Sequence, residues 1–434
     1  MNYILSNLII YGDLPEDCIL MELGKICKHL EEGTVPKDVL KNNAYKQVKR
    51  VLEVATQYGF DKNLWHNYLT FLLITDENPF SLTCEKVGAH IGSVNEFAKN
   101  DLEVFKALFD YDFTHLEEGL EINCFTQLSK YQAIPKKEMM YNKNVSEKVQ
   151  ALSEKLAGAE TKEDFWGYMT EFYKQYGVGM FGLNKAFRLG KADSEGIQIL
   201  PINNMEQVYL EDLIGYEWQK KELVDNTRAF IEGKKANNVL LFGDSGTGKS
   251  TSIKAIVNEF YEDGLRMIEI YKHQFKELSE VIGQIKNRNY KFIIYMDDLS
   301  FEEFEIEYKF LKAVIEGGVE TRPDNILIYA TSNRRHLIKE SWKDKNDMEH
   351  DEEIHRSDTI EEKLSLAHRF GVTIYYGKPN KREYDTMVVT LARKAGLYLS
   401  DEVLRAEANK WELRHGGLSG RTAQQFINYL VSIE

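Results

Sequence analysis

Apolar positions recur at helical spacing through the first 175 residues. Val48, Val51, Leu52, Ala55 and Tyr58 form one such stripe, Leu102, Phe105, Leu108 and Phe109 a second, and Phe165, Tyr168, Met169 and Tyr173 a third. A helical core explains these stripes better than a ligand groove does, so residues 1–175 are expected to form a mostly helical domain. The periodicity is lost over residues 176–204. The run GVGMFGLNKAFRLGKADSEG is glycine-rich and reads as a connector. Its Met180, Phe181, Leu183 and Phe187 are too apolar for a free linker, which implies that it packs on a neighbouring domain.

From about Leu210 the pattern changes. Short apolar runs at Val239–Phe242, Met267–Ile270, Phe292–Met296, Ile326–Tyr329 and Val372–Tyr376 alternate with helical segments at 249–261, 273–287 and 302–316. A longer loop with a short helix around 360–367 precedes the fifth run. Buried-type strands with helical crossovers predict a parallel α/β sheet over residues 205–378. Residues 379–434 read as three helices, near 380–395, 400–414 and 419–432.

The chain has 434 residues, which favours two or three domains over one core. At 43% hydrophobic and 29% charged, the composition is that of a soluble globular protein. The net charge of −14 divides evenly at Pro201, with −7 on each side. Neither part is a basic nucleic-acid module, since binding to phosphate backbones is driven by clustered Lys and Arg. No positive charge precedes the short apolar run of MNYILSNLIIYGDL, which argues against a signal peptide. No stretch approaches the roughly 20 apolar residues of a membrane span. Cys18, Cys27, Cys84 and Cys124 are widely spaced, as expected of thiols in a reducing cytoplasm.

Three segments carry chemistry. Gly243-Asp244-Ser245-Gly246-Thr247-Gly248-Lys249-Ser250 satisfies G-x-x-x-x-G-K-[ST], with an apolar strand before it and a helical pattern after it. Its glycines let backbone N–H groups close around phosphates, and the helix N-terminus adds partial positive charge. Lys249 is expected on the β/γ phosphates, and Ser250, followed by Thr251, offers a hydroxyl to Mg²⁺. Phe292–Met296 is a buried strand ending in Asp297 and Asp298. Asp297 fits the role of holding Mg²⁺ at the carboxyl end of the sheet, and Asp298 that of polarising the attacking water. The alternative for Asp298 is a cap on a helix opening at Leu299-Ser300. The strand Ile326–Ser332 ends at Asn333, which would sit between the acids and the γ-phosphate unless it is only a turn residue.

The runs ANNVLLFGDSGTGKS, YMDDLSFEE, RPDNILIYATSNRRHL and EKLSLAHRFG resemble a bacterial AAA+ family catalogued as domain of unknown function 815. The resemblance covers about residues 205–430. It implies an ATP- and Mg²⁺-dependent ATPase: a five-stranded core of strand order 5-1-4-3-2, with residues 379–434 as a helical lid. By the same resemblance Asn333 is sensor 1, Arg421 is the lid's sensor 2, and Arg369 is an arginine finger reaching a neighbouring subunit. Arg334 and Arg335 are rival fingers. Ile214, Gly215 and Tyr216, ahead of the P-loop, are expected against adenine. Glu is usual where Asp298 stands, so the shorter side chain implies slow hydrolysis.

A finger acting in trans implies a homo-oligomeric ring or arc. The helical N-terminal domain would supply contact with a protein partner. Threading unfoldases of this superfamily carry an aromatic–hydrophobic–Gly loop after the second strand. Here Tyr271-Lys272-His273-Gln274-Phe275 lacks the glycine, which weakens a threading role. The expected function is therefore an ATP-driven switch or remodeller of a protein. A DNA-associated loader or a nucleotide-gated scaffold is the alternative. The acidic segment 340–358, with His350 and His355, reads as a solvated loop rather than a metal site.

Overall fold

The computed structural model describes residues 1–134, 142–191, 196–301, 307–316, 323–333, 337, 366–367 and 369–433. The chain divides into two compact units, Met1–Asn184 and Lys185–Glu434.

Among its described residues, the first unit is helical apart from its connections. Its longer helices are α1 (Ile19–Glu32), α2 (Lys37–Tyr58), α3 (Leu64–Thr75), α4 (Val94–Phe109), α5 (Lys143–Ala157) and α6 (Lys162–Tyr176). Helix α2 buries Leu40, Ala44, Val48, Val51, Ala55 and Tyr58, three or four residues apart, so one face enters the core. Gly59, at φ 70°, ends it in a left-handed turn that closes onto the Ala55 carbonyl. Helix α6 starts in a capping box, in which Thr161 and Asp164 each satisfy the other's backbone N–H. A buried carboxylate organises the chain start: Asp101 on α4 accepts the N–H groups of Ile9, Ile10 and Tyr11 at 2.7–3.0 Å.

The second unit is built on a seven-stranded sheet. Its strands are β1 (Ala186–Leu189), β2 (Ile199–Pro201), β3 (Val239–Gly243), β4 (Leu265–Glu269), β5 (Lys291–Met296), β6 (Ile326–Ser332) and β7 (Val372–Tyr376). They lie in the order β2-β1-β4-β5-β6-β3-β7. All pairs are parallel except β1 with β2. The five expected strands, β3 to β7, are all present, and β1 and β2 extend that sheet to seven. The supposed connector is shared between the two units: its first residues close the helical one, and Ala186–Leu189 pairs with β4. These added strands have four and three residues, too short to give a clear period between glycines.

Every residue of β6 is buried, as a parallel strand covered on both faces requires. Around the sheet lie α7 (Glu217–Ile231), α8 (Lys249–Glu259), α9 (Leu278–Ile285) and α10 (Glu307–Glu316). The segment expected as one helix over 273–287 instead opens with a tighter 3₁₀ turn, Lys272–Glu277, before α9. The chain ends in α11 (Lys381–Lys394), α12 (Asp401–Arg414) and α13 (Gly420–Ile433). These three pack about their own core of Tyr384, Met387, Val388, Leu404, Phe426 and Ile427. Among the described residues, no helix is long and apolar enough to cross a membrane.

Candidate functional site

The P-loop leaves β3 at Gly243, whose φ of 135° is open to glycine. A Cβ there would collide with the Tyr376 carbonyl of β7. That close approach lets the Asp244 N–H donate to the Tyr376 carbonyl at 3.0 Å. Asp244 Oδ2 in turn accepts the Lys378 N–H at 3.0 Å, and Thr247 Oγ1 donates to the Asp244 carbonyl at 2.8 Å. Gly248, at φ 93°, turns the chain into α8, which begins at Lys249 and points its N-terminus into the cavity.

Lys249 Nζ donates to the carbonyls of Gly243 and Asp244, at 2.9 and 2.6 Å, and to Asn333 Oδ1 at 3.0 Å. Burial pulls its pKa below the usual lysine value, against the opposing pull of Asp244, Asp298 and Asp297. Asn333 turns its amide the other way, donating from Nδ2 to Asp298 Oδ1 at 2.8 Å. One asparagine therefore spans the P-loop lysine and the second acid.

Asp297 Oδ1 accepts two hydroxyls, Ser250 Oγ at 2.7 Å and Thr331 Oγ1 at 2.6 Å. Burial works against its ionisation, but these hydrogen bonds outweigh it and hold the carboxyl below its ordinary pKa. Asp298 sits in the left-handed region at φ 49°. Its N–H donates to Thr331 Oγ1 at 2.9 Å, the Leu299 N–H to the Thr331 carbonyl at 2.7 Å, and Ser332 Oγ to the Leu299 carbonyl at 2.7 Å. The alternative of Asp298 as a helix cap is corrected: Leu299 and Ser300 are not helical, and they are tied to the end of β6 instead.

The cavity at this centre has a volume of about 750 Å³. Of the residues the sequence nominated, Ile214, Ser245, Gly246, Thr247, Gly248, Lys249, Ser250, Thr251, Asp297, Asp298, Asn333 and Arg421 line it. Gly215 stands between Ile214 and Tyr216, two of its walls. Gly243 and Asp244 lie behind the loop and shape it. Arg369 does not line this cavity; it is partly buried in the turn before β7. Arg334, Arg335, His368 and the segment 340–358 lie outside the described residues.

The sequence reading missed most of the far wall and the floor. Val208, Leu213, Met387 and Leu391 join Ile214 and Tyr216, both expected there, in making one end of the cavity apolar. The Tyr216 ring stacks on Tyr376 at 5.1 Å, and its hydroxyl donates to the Gly377 carbonyl. Met387 and Leu391 come from α11, so the C-terminal helices close over the site. Their last helix touches the P-loop directly, where the Arg421 N–H donates to the Gly246 carbonyl at 3.1 Å. Thr331 was passed over as one residue of an apolar strand. The signal was a hydroxyl at the end of that strand.

Ser250, Asp297 and their neighbours offer only hard oxygen ligands. With one carboxylate and one hydroxyl, they suit a Mg²⁺ that takes its other ligands from phosphates and water.

A family described as "Protein of unknown function (DUF815)" matches residues 183–434. The Replication factor C large subunit of Methanococcus vannielii is 35% identical over 74 residues, 17% of this chain and 15% of that protein. The large subunit from Aeropyrum pernix is 34% identical over 74 residues, with the same coverage. Among solved structures, the Thermotoga maritima RuvB Holliday junction branch migration motor aligns with a TM-score of 0.36 at 14% identity, over 52% of this chain and 65% of that one. A variant of the same RuvB aligns at 0.35 and 15%, over 52% and 64%. The chain thus spans about a seventh of the replication factors and under two thirds of the RuvB structures.

Proposed function

The chain belongs to the DUF815 family, and from that premise we propose that it is an AAA+ ATPase whose Mg²⁺-dependent ATP hydrolysis drives a switch or remodelling step in a protein partner. The observation that carries this reading is the continuous chain of contacts Lys249–Asn333–Asp298, beside Ser250–Asp297, in one cavity roofed by the C-terminal helices.

In this reading the P-loop N–H groups and Lys249 bind the phosphates, and Val208, Leu213, Ile214, Tyr216, Met387 and Leu391 enclose the base. Ser250 and Asp297 would hold Mg²⁺, which when bound offsets charge on the transferring phosphoryl group. Asp298 orients the attacking water and accepts its proton, and Asn333 keeps that carboxylate in register with Lys249. Arg421 reaches the phosphates from the lid, and Arg369 acts on a neighbouring subunit in a ring or arc.

The test is Asp298→Asn. We expect it to bind ATP with wild-type affinity and to lose phosphate release, because an amide cannot accept the proton. Hydrolysis at the wild-type rate would remove Asp298 from this role.

The short match to Replication factor C large subunits favours a second reading, a DNA-associated loader. The −7 charge of the C-terminal half weighs against it. Partners captured by the Asp298→Asn protein with ATP, before and after nuclease treatment, separate the two: nuclease-resistant protein partners support the first, nuclease-sensitive capture the second.

A further inference from the structure

Thr331 stands at a junction that none of the expected site residues occupies. Its side chain is 2% exposed, on a central strand between β5 and β3. A threonine hydroxyl has one proton and two lone pairs. Here the proton goes to Asp297 Oδ1 at 2.6 Å, and a lone pair takes the Asp298 N–H at 2.9 Å. The direction of the two bonds is fixed, because a carboxylate oxygen only accepts and a backbone N–H only donates. A single atom therefore holds the side chain of the first acid and the backbone of the second.

Asp298 needs that restraint. A non-glycine residue at φ 49° is strained by about 1–2 kcal/mol, so an unrestrained Asp298 would relax toward negative φ. Relaxation would swing its carboxylate away from Asn333 Nδ2. The neighbouring bonds from the Leu299 N–H to the Thr331 carbonyl and from Ser332 Oγ to the Leu299 carbonyl extend the same tether. Among the described residues, the end of β6 and the residue after it thus supply two devices two residues apart: Thr331 behind the acids and Asn333 facing the phosphate site.

We infer that Thr331 is the positioning residue of this site, fixing Asp297 for the metal and Asp298 for the water through one hydroxyl. The inference rests on the ATPase reading above. Thr331→Val is close to threonine in shape and puts a methyl group in place of the hydroxyl. Thr331→Ser keeps the hydroxyl and removes a methyl group.

The measurements are the Mg²⁺ concentration that half-saturates ATP binding, and hydrogen exchange at the Asp298 and Leu299 amides without nucleotide. Partners behind metal ligands typically contribute 10–100-fold in metal affinity. Thr331→Val should therefore raise the Mg²⁺ half-saturation at least about tenfold, and should speed exchange at Asp298 and Leu299. Thr331→Ser should return both toward wild type. A Thr331→Val protein with wild-type Mg²⁺ dependence and wild-type exchange would make Thr331 an ordinary core residue and overturn the inference. Equal defects in the Ser and Val variants would do the same, since packing and not the hydroxyl would then matter. Wild-type protein that binds no ATP at any Mg²⁺ concentration would instead overturn the ATPase reading itself, and this inference with it. The exchange measurement needs no ligand and distinguishes the two failures.

Discussion

His66 on α3 shows how one side chain ties stability to pH. Its Nε2 donates to the Phe109 carbonyl at 2.8 Å, and its ring stacks on the Phe109 ring at 4.8 Å. Burial lowers its pKa from the ordinary histidine value, more than the hydrogen bond and Asp110 raise it. A depressed folded pKa means that the unfolded chain binds the proton more tightly. The contribution of His66 is then complete above the unfolded value of about 6.5 and is lost as pH falls through the folded value. Wild-type protein should therefore melt at lower temperature at pH 5.5 than at pH 7.5. His66→Gln, which keeps a donor and cannot titrate, should lose less over the same interval. Equal losses in the two proteins would show that His66 is not the group responsible. At the same scale, Asp298 is legible in the sequence as an acid at a strand end, but its left-handed backbone is not. That conformation comes from bonds to Thr331 and Asn333, more than 30 residues away.

At the scale of elements, the P-loop and the last helix act as a pair. A Cβ on Gly246, at φ 77°, would lie 3.1 Å from Ser419 Oγ and 3.2 Å from Arg421 Cβ. Gly246→Ala should thus push the start of α13 off the loop and break the bond from the Arg421 N–H to the Gly246 carbonyl. Gly233 has a similar φ of 73° with nothing within 4 Å of an added Cβ, so Gly233→Ala carries the backbone strain alone. Strain of about 1–2 kcal/mol at the site corresponds to roughly tenfold in affinity. ATP binding should weaken by about that factor in Gly246→Ala and stay unchanged in Gly233→Ala; titration with a fluorescent ATP analogue measures both. Identical affinities would mean that α13 does not need to sit on the P-loop. The sequence announced both elements, the loop by its glycines and the helix by its period. Their contact joins residues about 175 positions apart and has no local signature.

At the scale of the molecule, the cavity is lined wholly by residues of the unit Lys185–Glu434. ATP at 100 times its Kd should stabilise that unit by about 2.7 kcal/mol. Calorimetry should show one transition moving upward with Mg-ATP while the transition of Met1–Asn184 stays in place. Lys249→Ala should lose the shift and still fold, because the carbonyls of Gly243 and Asp244 border a cavity that water can enter. A wild-type melt unmoved by ATP would sink the nucleotide reading.

Local spacing alone indicated the helical first unit, the alternating second part, the P-loop and the strand-end acids. Each of these is written within a few consecutive residues, as a period, a glycine pattern or a charge closing an apolar run. The short strands β1 and β2 were hidden, because three or four residues between glycines give no period and β4, on which β1 pairs, is about 80 residues away. The apolar wall of Met387 and Leu391, the position of Arg369 outside the cavity lining, and the double role of the Thr331 hydroxyl were equally hidden. They depend on which strands become neighbours and which helix face turns inward. Those choices are made by burial and hydrogen-bond satisfaction across the whole sheet, so only the tertiary structure decides them.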